Sequence, residues 1–160
     1  MTTPPAVVAM LAGRPAAGTW EPMFPLLTVD DCGFPHVCLL SRAELAADNR
    51  RVYAVLTSPN TIKNLSRDRK ATLVVVGTDT ASYVKLTVRE SVPDGDWLGV
   101  ACQVASAKND SLHIPLRPPQ YLVTQELSVT ENWARGERML ARLARRCGSP
   151  RVTPPDGPGL

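Results

Sequence analysis

From residue 24 onward the chain delivers one short β-branched or aromatic run after another, with connections mostly too short to hold a crossover helix. Parallel strands need roughly a dozen connecting residues or more, so runs joined by tight turns are confined to antiparallel pairing. "FPLLTV" (24–29) passes through "DDCGFP", whose Asp, Gly and Pro suit a turn, into "HVCLLS" (36–41), which predicts a hairpin. "RVYAVLT" (51–57), "ATLVVVG" (71–77), "SYVKLTVRESV" (82–92) and "WLGVACQVAS" (97–106) extend the series, with "DGD" (94–96) turning between the last two. Within "YVKLTVRESV", Val84, Leu86, Val88 and Glu90 alternate with Lys85, Thr87, Arg89 and Ser91, the period of two of a half-buried antiparallel strand. "YLVTQELSV" (121–129) reads as the last strand, "RAELAADNR" (42–50) as a loop with one helical turn, and residues 108–120, with three prolines, as loop. Six or seven short strands with few and short helices predict a mainly β fold, a small antiparallel barrel or sandwich.

The two ends differ from the middle. Residues 1–22 read as an arm carrying a short helix, "AVVAMLAG", ended by Gly13 and Pro15. "TENWARGERMLARLARRCG" (130–148) has a helical pattern, with Trp133, Gly136, Leu140 and Leu143 or Ala144 on one stripe, Met139 at its edge, and Gly148 and Pro150 as its stop. Residues 149–160 read as a disordered tail, which leaves 23–148 as one barrel domain.

Composition excludes some classes of function. A formal charge of +3 is weaker than a nucleic-acid binder usually concentrates, and no apolar segment approaches the roughly 20 residues that span a bilayer. Neither nucleic acid nor membrane is therefore an expected partner. "MTTPPAVVAMLAGRP" lacks a positive leader and is interrupted by Pro4 and Pro5, so it makes a poor signal peptide and a cytoplasmic location is expected. Cys32, Cys38, Cys102 and Cys147 form no CxxC or Cys/His ligand pattern, which argues for reduced thiols and against a metal site. Cys38 and Cys102 fall in strands as small core residues.

The stretch with most chemical content is "TSPNTIKNLSRDRK" (57–70). Ser58 is a favoured N-cap and Pro59 a favoured first helical residue, predicting a helix from Pro59 to about Arg67 with Ile62 and Leu65 turned inward. Pro59 has no N–H, so the open donors are those of Asn60 and Thr61, beside the Thr61 hydroxyl. Lys63 stands one turn in. Free donors, the positive end of the helix dipole and a lysine together make an anion site. Taken alone, Ser58-Pro59 more often merely starts a helix, with Lys63 a solvated side chain. His36 and His113 read as surface or hydrogen-bonded histidines, and Trp133 and Leu140 as packing for the terminal helix. "SRDRK" reads as a solvated, mixed-sign face.

The order of these segments resembles the FMN-binding split-barrel superfamily typified by pyridoxamine 5'-phosphate oxidase. The resemblance rests on Gly33-Phe34-Pro35 between two strands, a third strand ending at Thr57, then Thr61-Ile62-Lys63 and Leu65, then the β-branched run from Ala71 to Val76. It covers about residues 5–92. It implies an antiparallel split β-barrel with flanking helices, a homodimer with FMN at the subunit interface, and an oxidoreductase acting on a small-molecule substrate. The cofactor residues it implies are Ser58, Asn60, Thr61 and Lys63 for the phosphate, and the strand near Val55, Leu56 and Thr57 for the ring. Some relatives bind the deazaflavin F420 or haem instead, and F420 would bring its longer anionic tail toward Arg67 and Arg42. The oxidase's C-terminal Arg-and-Trp signature is absent, so the vitamin B6 oxidase itself is not implied. Ser41 stands where tight FMN binders often carry a basic residue, which keeps open a non-catalytic or ligand-free dimer or a cofactor carrier.

Overall fold

The computed structural model describes residues 1–111 and 113–149. The order of elements is α1 (Pro5–Leu11), β1 (Trp20–Pro22), β2 (Phe24–Val29), β3 (Pro35–Leu40), β4 (Leu45–Ala47), β5 (Arg51–Leu56), α2 (Pro59–Asp68), β6 (Lys70–Val76), β7 (Thr80–Asp94), β8 (Trp97–Ser111), β9 (Gln120–Leu122), α3 (Gln125–Thr130) and α4 (Trp133–Arg146). Seven strands form one curled antiparallel sheet in the order β3-β2-β6-β7-β8-β5-β4, and β1 pairs with β9 apart from it.

The hairpin of β7 and β8, 15 residues on each side, is the spine of this sheet. Gly95, at φ +60°, and Asp96 make its tight turn. Register shifts at Lys85/Leu86 and Val88/Glu90 bend it, because an unpaired residue on one strand increases local twist. The bend lets β7 pair with β6 at one end, Thr87 to Ala81, while β8 pairs with β5 at the other, Gln103 to Leu98. The result is a split barrel rather than a flat sheet.

Its interior is filled by Phe24, Leu26, Leu40, Leu45, Leu73, Val84 and Leu86, with Val7 and Leu11 of α1 joining the same cluster. A second cluster lies outside, where α4 covers Tyr53, Val55, Val92 and Ala101 with Met139, Leu140 and Leu143. The stripe of α4 is as the sequence predicts at Gly136, Leu140, Leu143 and Ala144, whereas Met139 is buried rather than marginal and Trp133 is only half-buried. β5 serves both clusters: Val52, Ala54 and Leu56 face the barrel and Tyr53 and Val55 face α4. Double burial explains why "RVYAVL" is a continuous apolar run and not an alternating one.

Three segments differ from expectation. Residues 42–50 hold a strand, β4, because Asp48 turns the chain sharply: its Oδ1 accepts from the N–H of Arg50 and Arg51 at 2.7 and 2.8 Å, closing a hairpin onto β5. "YLVTQELSV" stops being strand at Leu122, because Thr124 caps a new helix by accepting from Leu127 N at 3.2 Å, with Glu126 in its first turn. Residues 108–111, expected as loop, continue β8 opposite Thr80–Tyr83. The predicted tail lies outside the described residues beyond Ser149.

The N-terminal arm is tied down by two ion pairs. Arg42 donates from Nε and Nη2 to the Glu21 carboxylate at 2.7–2.9 Å and from Nη1 to the Ala12 carbonyl at 2.6 Å. The Glu21 side chain is only 8% exposed, so losing Arg42 strands a buried charge. Arg14 of the arm also pairs with Glu137 of α4.

Two outcomes follow for stability. Gly99 lets α4 lie on β8, since a Cβ there would meet Leu143 Cδ1 at 2.9 Å and Met139 Cε at 3.4 Å. Gly99→Val is expected to cost about 1–3 kcal/mol in urea unfolding through overpacking. Tyr53, fully buried, donates its hydroxyl to Asp48 Oδ2 at 2.8 Å, and burial together with that carboxylate pushes its phenol well above the ordinary range. A raised folded-state value contributes stability below the unfolded pKa of about 10 that is lost as pH rises past it. Equilibrium unfolding followed from pH 8 to 11 should therefore show a steep alkaline loss of stability that is shallower in Tyr53→Phe.

Candidate functional site

β5 ends at Leu56, and the chain leaves the sheet through Thr57 straight into α2. The expected cap is present: Ser58 Oγ accepts from Thr61 N, though at 3.5 Å the bond is long, and Ile62 N makes the first helical bond to Ser58 O at 3.0 Å. The Asn60 N–H precedes that bond and has no helical partner. Leu65 is buried and Ile62 packs against the barrel core, so the inward face of the helix is as predicted.

Thr61 is wholly buried, and its hydroxyl sits between Ser58 Oγ at 3.2 Å and His36 Nε2 at 3.1 Å. With the proton on Nε2, a directed chain runs from His36 to Thr61 to Ser58, and the hydrogen of Ser58 itself is left to point outward. His36 lies opposite Thr28 on β2, and the Thr28 hydroxyl accepts from Asn64 Nδ2 of α2 at 3.0 Å. Cys38 is close by on β3. Burial pushes its thiol up, and the Thr61 hydroxyl works in the other direction. The helix start is thus fastened to the β2–β3 edge by a polar cluster that sequence reading saw only in part. His36 was expected to be hydrogen-bonded, and nothing in the sequence links it to Thr61, 25 residues away.

Of the predicted cofactor residues, Ser58, Asn60, Thr61 and Lys63 come together on the first turn of α2, with Thr57 exposed beside them. Val55 and Leu56 are fully buried, their side chains in the α4 cluster and the barrel core, so only backbone is left for any ligand there. Val55 N–H already donates to Glu44 O at 2.9 Å. Lys63 is exposed but bonds Asp31 Oδ2 at 2.7 Å across the β2–β3 turn, and holds that carboxyl below its ordinary range. The sequence-derived use of Arg42 as a tail contact is corrected, because its guanidinium is committed to Glu21 and Ala12. Arg67 is similarly held, by Asp68 at 2.6 Å and the Val29 carbonyl at 2.5 Å.

An anion at the first turn of α2 would meet the N–H of Asn60 and the hydroxyl of Ser58, whereas Thr61, wholly buried, offers it nothing directly and holds Ser58 in place. Lys63 could reach it by leaving Asp31. Exposed pairs of that kind are weak, screened by water and by lost side-chain freedom, so the exchange is easy and a phosphate fits. A groove of about 990 Å³ opens along the outer face of β2, β6 and β7, with Leu27, Val29, Arg67, Lys70, Thr72 and Lys85 among its walls. Among the described residues, neither Lys70 nor Lys85 takes part in a salt bridge. Asp30, Asp31 and Cys32 place ligand atoms within 4.8 Å of one another, but Asp30 Oδ1 caps the turn and Asp31 serves Lys63.

Thr61→Val keeps the shape and removes the hydroxyl that joins Ser58 to His36. It is expected to destabilise the protein by about 1–2 kcal/mol in urea unfolding, as two polar groups lose a buried partner.

No protein-family profile matches the chain, and no curated protein matches it either. Solved structures do. An F420 reductase superposes with a TM-score of 0.53 at 16% identity, over 66% of this chain and 98% of that one. A homologue of nitrilotriacetate monooxygenase component B from Mycobacterium thermoresistibile gives 0.52 at 14% identity, over 66% and 77%. A putative oxidoreductase from Sinorhizobium meliloti gives 0.50 at 10% identity, over 81% and 56%. At these identities the likeness speaks for architecture alone, and it agrees with the strand order: the chain has the curled antiparallel half-barrel sheet with flanking helices that these structures share.

Proposed function

We propose that the protein is a flavin-dependent oxidoreductase, with FMN as its cofactor and a small molecule as its substrate. The observation that carries this reading is the first turn of α2, where the open N–H of Asn60 and the Ser58 hydroxyl lie next to a buried Thr61–His36 anchor, with Lys63 one turn on, bonded to Asp31. The fold is shared with an F420 reductase and a monooxygenase component homologue, which supports the same class. When bound, a flavin supplies the hydride and electron chemistry. The chain's own residues bind and orient: Ser58 and Asn60 offer hydrogen bonds to a phosphate, the buried Thr61 positions Ser58, and Lys63 neutralises the charge, while Thr57 and the backbone at Val55 and Leu56 offer the strand edge. Haem finds no comparable support, since His36 is occupied by Thr61 and His113 lies on an exposed loop.

A homodimer belongs to the proposal. Val29, Phe34, Val37 and Leu39 are 48–69% exposed and, with Leu27, form one apolar face on β2 and β3 next to the groove. Contiguous apolar surface of this kind marks an interface. F420 is a second reading favoured by one feature, the unpaired Lys70 and Lys85 in the groove beside α2, which suit a longer anionic tail.

Titration with FMN, followed by visible absorption and fluorescence, tests the cofactor. Saturable micromolar binding is expected. It should weaken about tenfold in Lys63→Ala, and tighten severalfold in Asp31→Asn, which releases Lys63. Absence of binding by FMN and F420 would remove the cofactor reading. Gel filtration tests the dimer: the parent should elute at about twice its 17.3 kDa mass and Val37→Glu as a monomer.

A further inference from the structure

We propose that the pocket between the end of β3 and the α3–α4 corner binds a small organic cation, an ammonium or guanidinium head on an apolar body. The pocket holds about 220 Å³, and its walls combine Leu39, Leu127 and Trp133 with the polar groups of Glu44, Tyr121 and Glu131. Among the described residues, no lysine or arginine lines it. Arg42, adjacent in sequence to Ser41, has its guanidinium turned to Glu21 and to the Ala12 carbonyl.

Two of the polar groups are incomplete. Glu44 Oε2 accepts from Ser41 N–H at 2.7 Å and from Ser41 O–H at 2.9 Å, whereas among the described residues Oε1 receives nothing. The Tyr121 hydroxyl lies near Ser41 but is buried without a hydrogen bond. Burial pushes the Glu44 carboxyl above its ordinary range; the Ser41 bonds oppose this and the Glu131 charge adds to it. A raised folded-state value contributes stability below the unfolded pKa that is lost as pH rises, so ionised Glu44 burdens the fold at neutral pH. A buried hydroxyl without a partner is a burden of the same kind. Glu44 Oε2 closes the 41–44 turn onto Ser41, but that turn leaves Oε1 and the Tyr121 hydroxyl over, and both residues line one cavity.

A positive head between Glu44 and Glu131 neutralises two carboxylates at once, and its hydrogens reach Glu44 Oε1 and the Tyr121 oxygen. The apolar body then rests on Leu39 and Trp133, whose ring face also attracts a cation. An anion would meet two like charges, and a neutral molecule would leave them uncompensated. The pocket is lined by Leu39, Leu40 and Ser41 at the end of β3, whereas the α2 cap is joined to His36 near its start. The inference does not depend on the flavin reading, and either can fail without the other.

The test is calorimetric titration of the full chain with benzylammonium, with benzyl alcohol and benzoate as its neutral and anionic counterparts. Expected are saturable binding of benzylammonium, at least about tenfold tighter than benzyl alcohol, and no binding of benzoate. Glu44→Gln and Tyr121→Phe should each weaken benzylammonium about fivefold or more, while the unliganded Tm at pH 7 stays level or rises. A purely structural role for these groups would instead lower Tm in both variants, and that result overturns the proposal. So does the absence of benzylammonium binding, affinity no better than for benzyl alcohol, or parent-like affinity in Glu44→Gln.

Discussion

Burial of β5 on both faces is the constraint that organises this molecule. In an antiparallel sheet one face commonly meets water, but here the barrel takes Val52, Ala54 and Leu56 while α4 takes Tyr53 and Val55. A strand buried on both sides cannot slip register without moving its side chains from one core into the other. β5 therefore holds β4 and β8 in place on its flanks. It also fixes the direction in which the chain leaves at Thr57, and with it the start of α2. The candidate anion site is rigid because Leu56 on one side and Leu65 on the other are packed into the same core.

Polar groups at the two ends of β3 are treated in opposite ways. At the α2 end, His36, Thr61, Ser58, Thr28 and Asn64 satisfy one another, and only the outermost donors remain open. At the far end, Glu44 has an unused oxygen and Tyr121 an unused hydroxyl. Buried polar groups are nearly always paired, so a satisfied cluster stiffens a site and an unsatisfied one marks a place that something else completes. Both kinds border a single edge strand, β3.

Much of the barrel was legible because strand periodicity and turn chemistry are local. Gly33-Phe34-Pro35 made the β2–β3 hairpin, Gly95-Asp96 the β7–β8 turn, and Ser58-Pro59 the start of α2. The errors lie where a side chain several residues away decides. Asp48 turned an expected loop into β4, and Thr124 stopped an expected strand and began α3. Arg42 looked like a free cation because the sequence shows no partner for it, and Glu21, 21 residues earlier, becomes one only when β1 and the arm fold over the barrel.

By itself, then, the sequence determined the antiparallel class of the sheet, the strand-to-helix junction at Thr57–Ser58 and the apolar stripe of α4, since each follows from neighbours within a turn or a strand. Tertiary structure alone decided which charges are spent and which are available. Pairing of Lys63 with Asp31, of Arg42 with Glu21 and of Thr61 with His36 joins residues 21–32 positions apart. The meeting of Glu44 with Tyr121 and Trp133 in one pocket joins residues still farther apart in the sequence. Such encounters depend on how a bent β7–β8 hairpin curls the sheet, a property of the whole chain that no local pattern encodes.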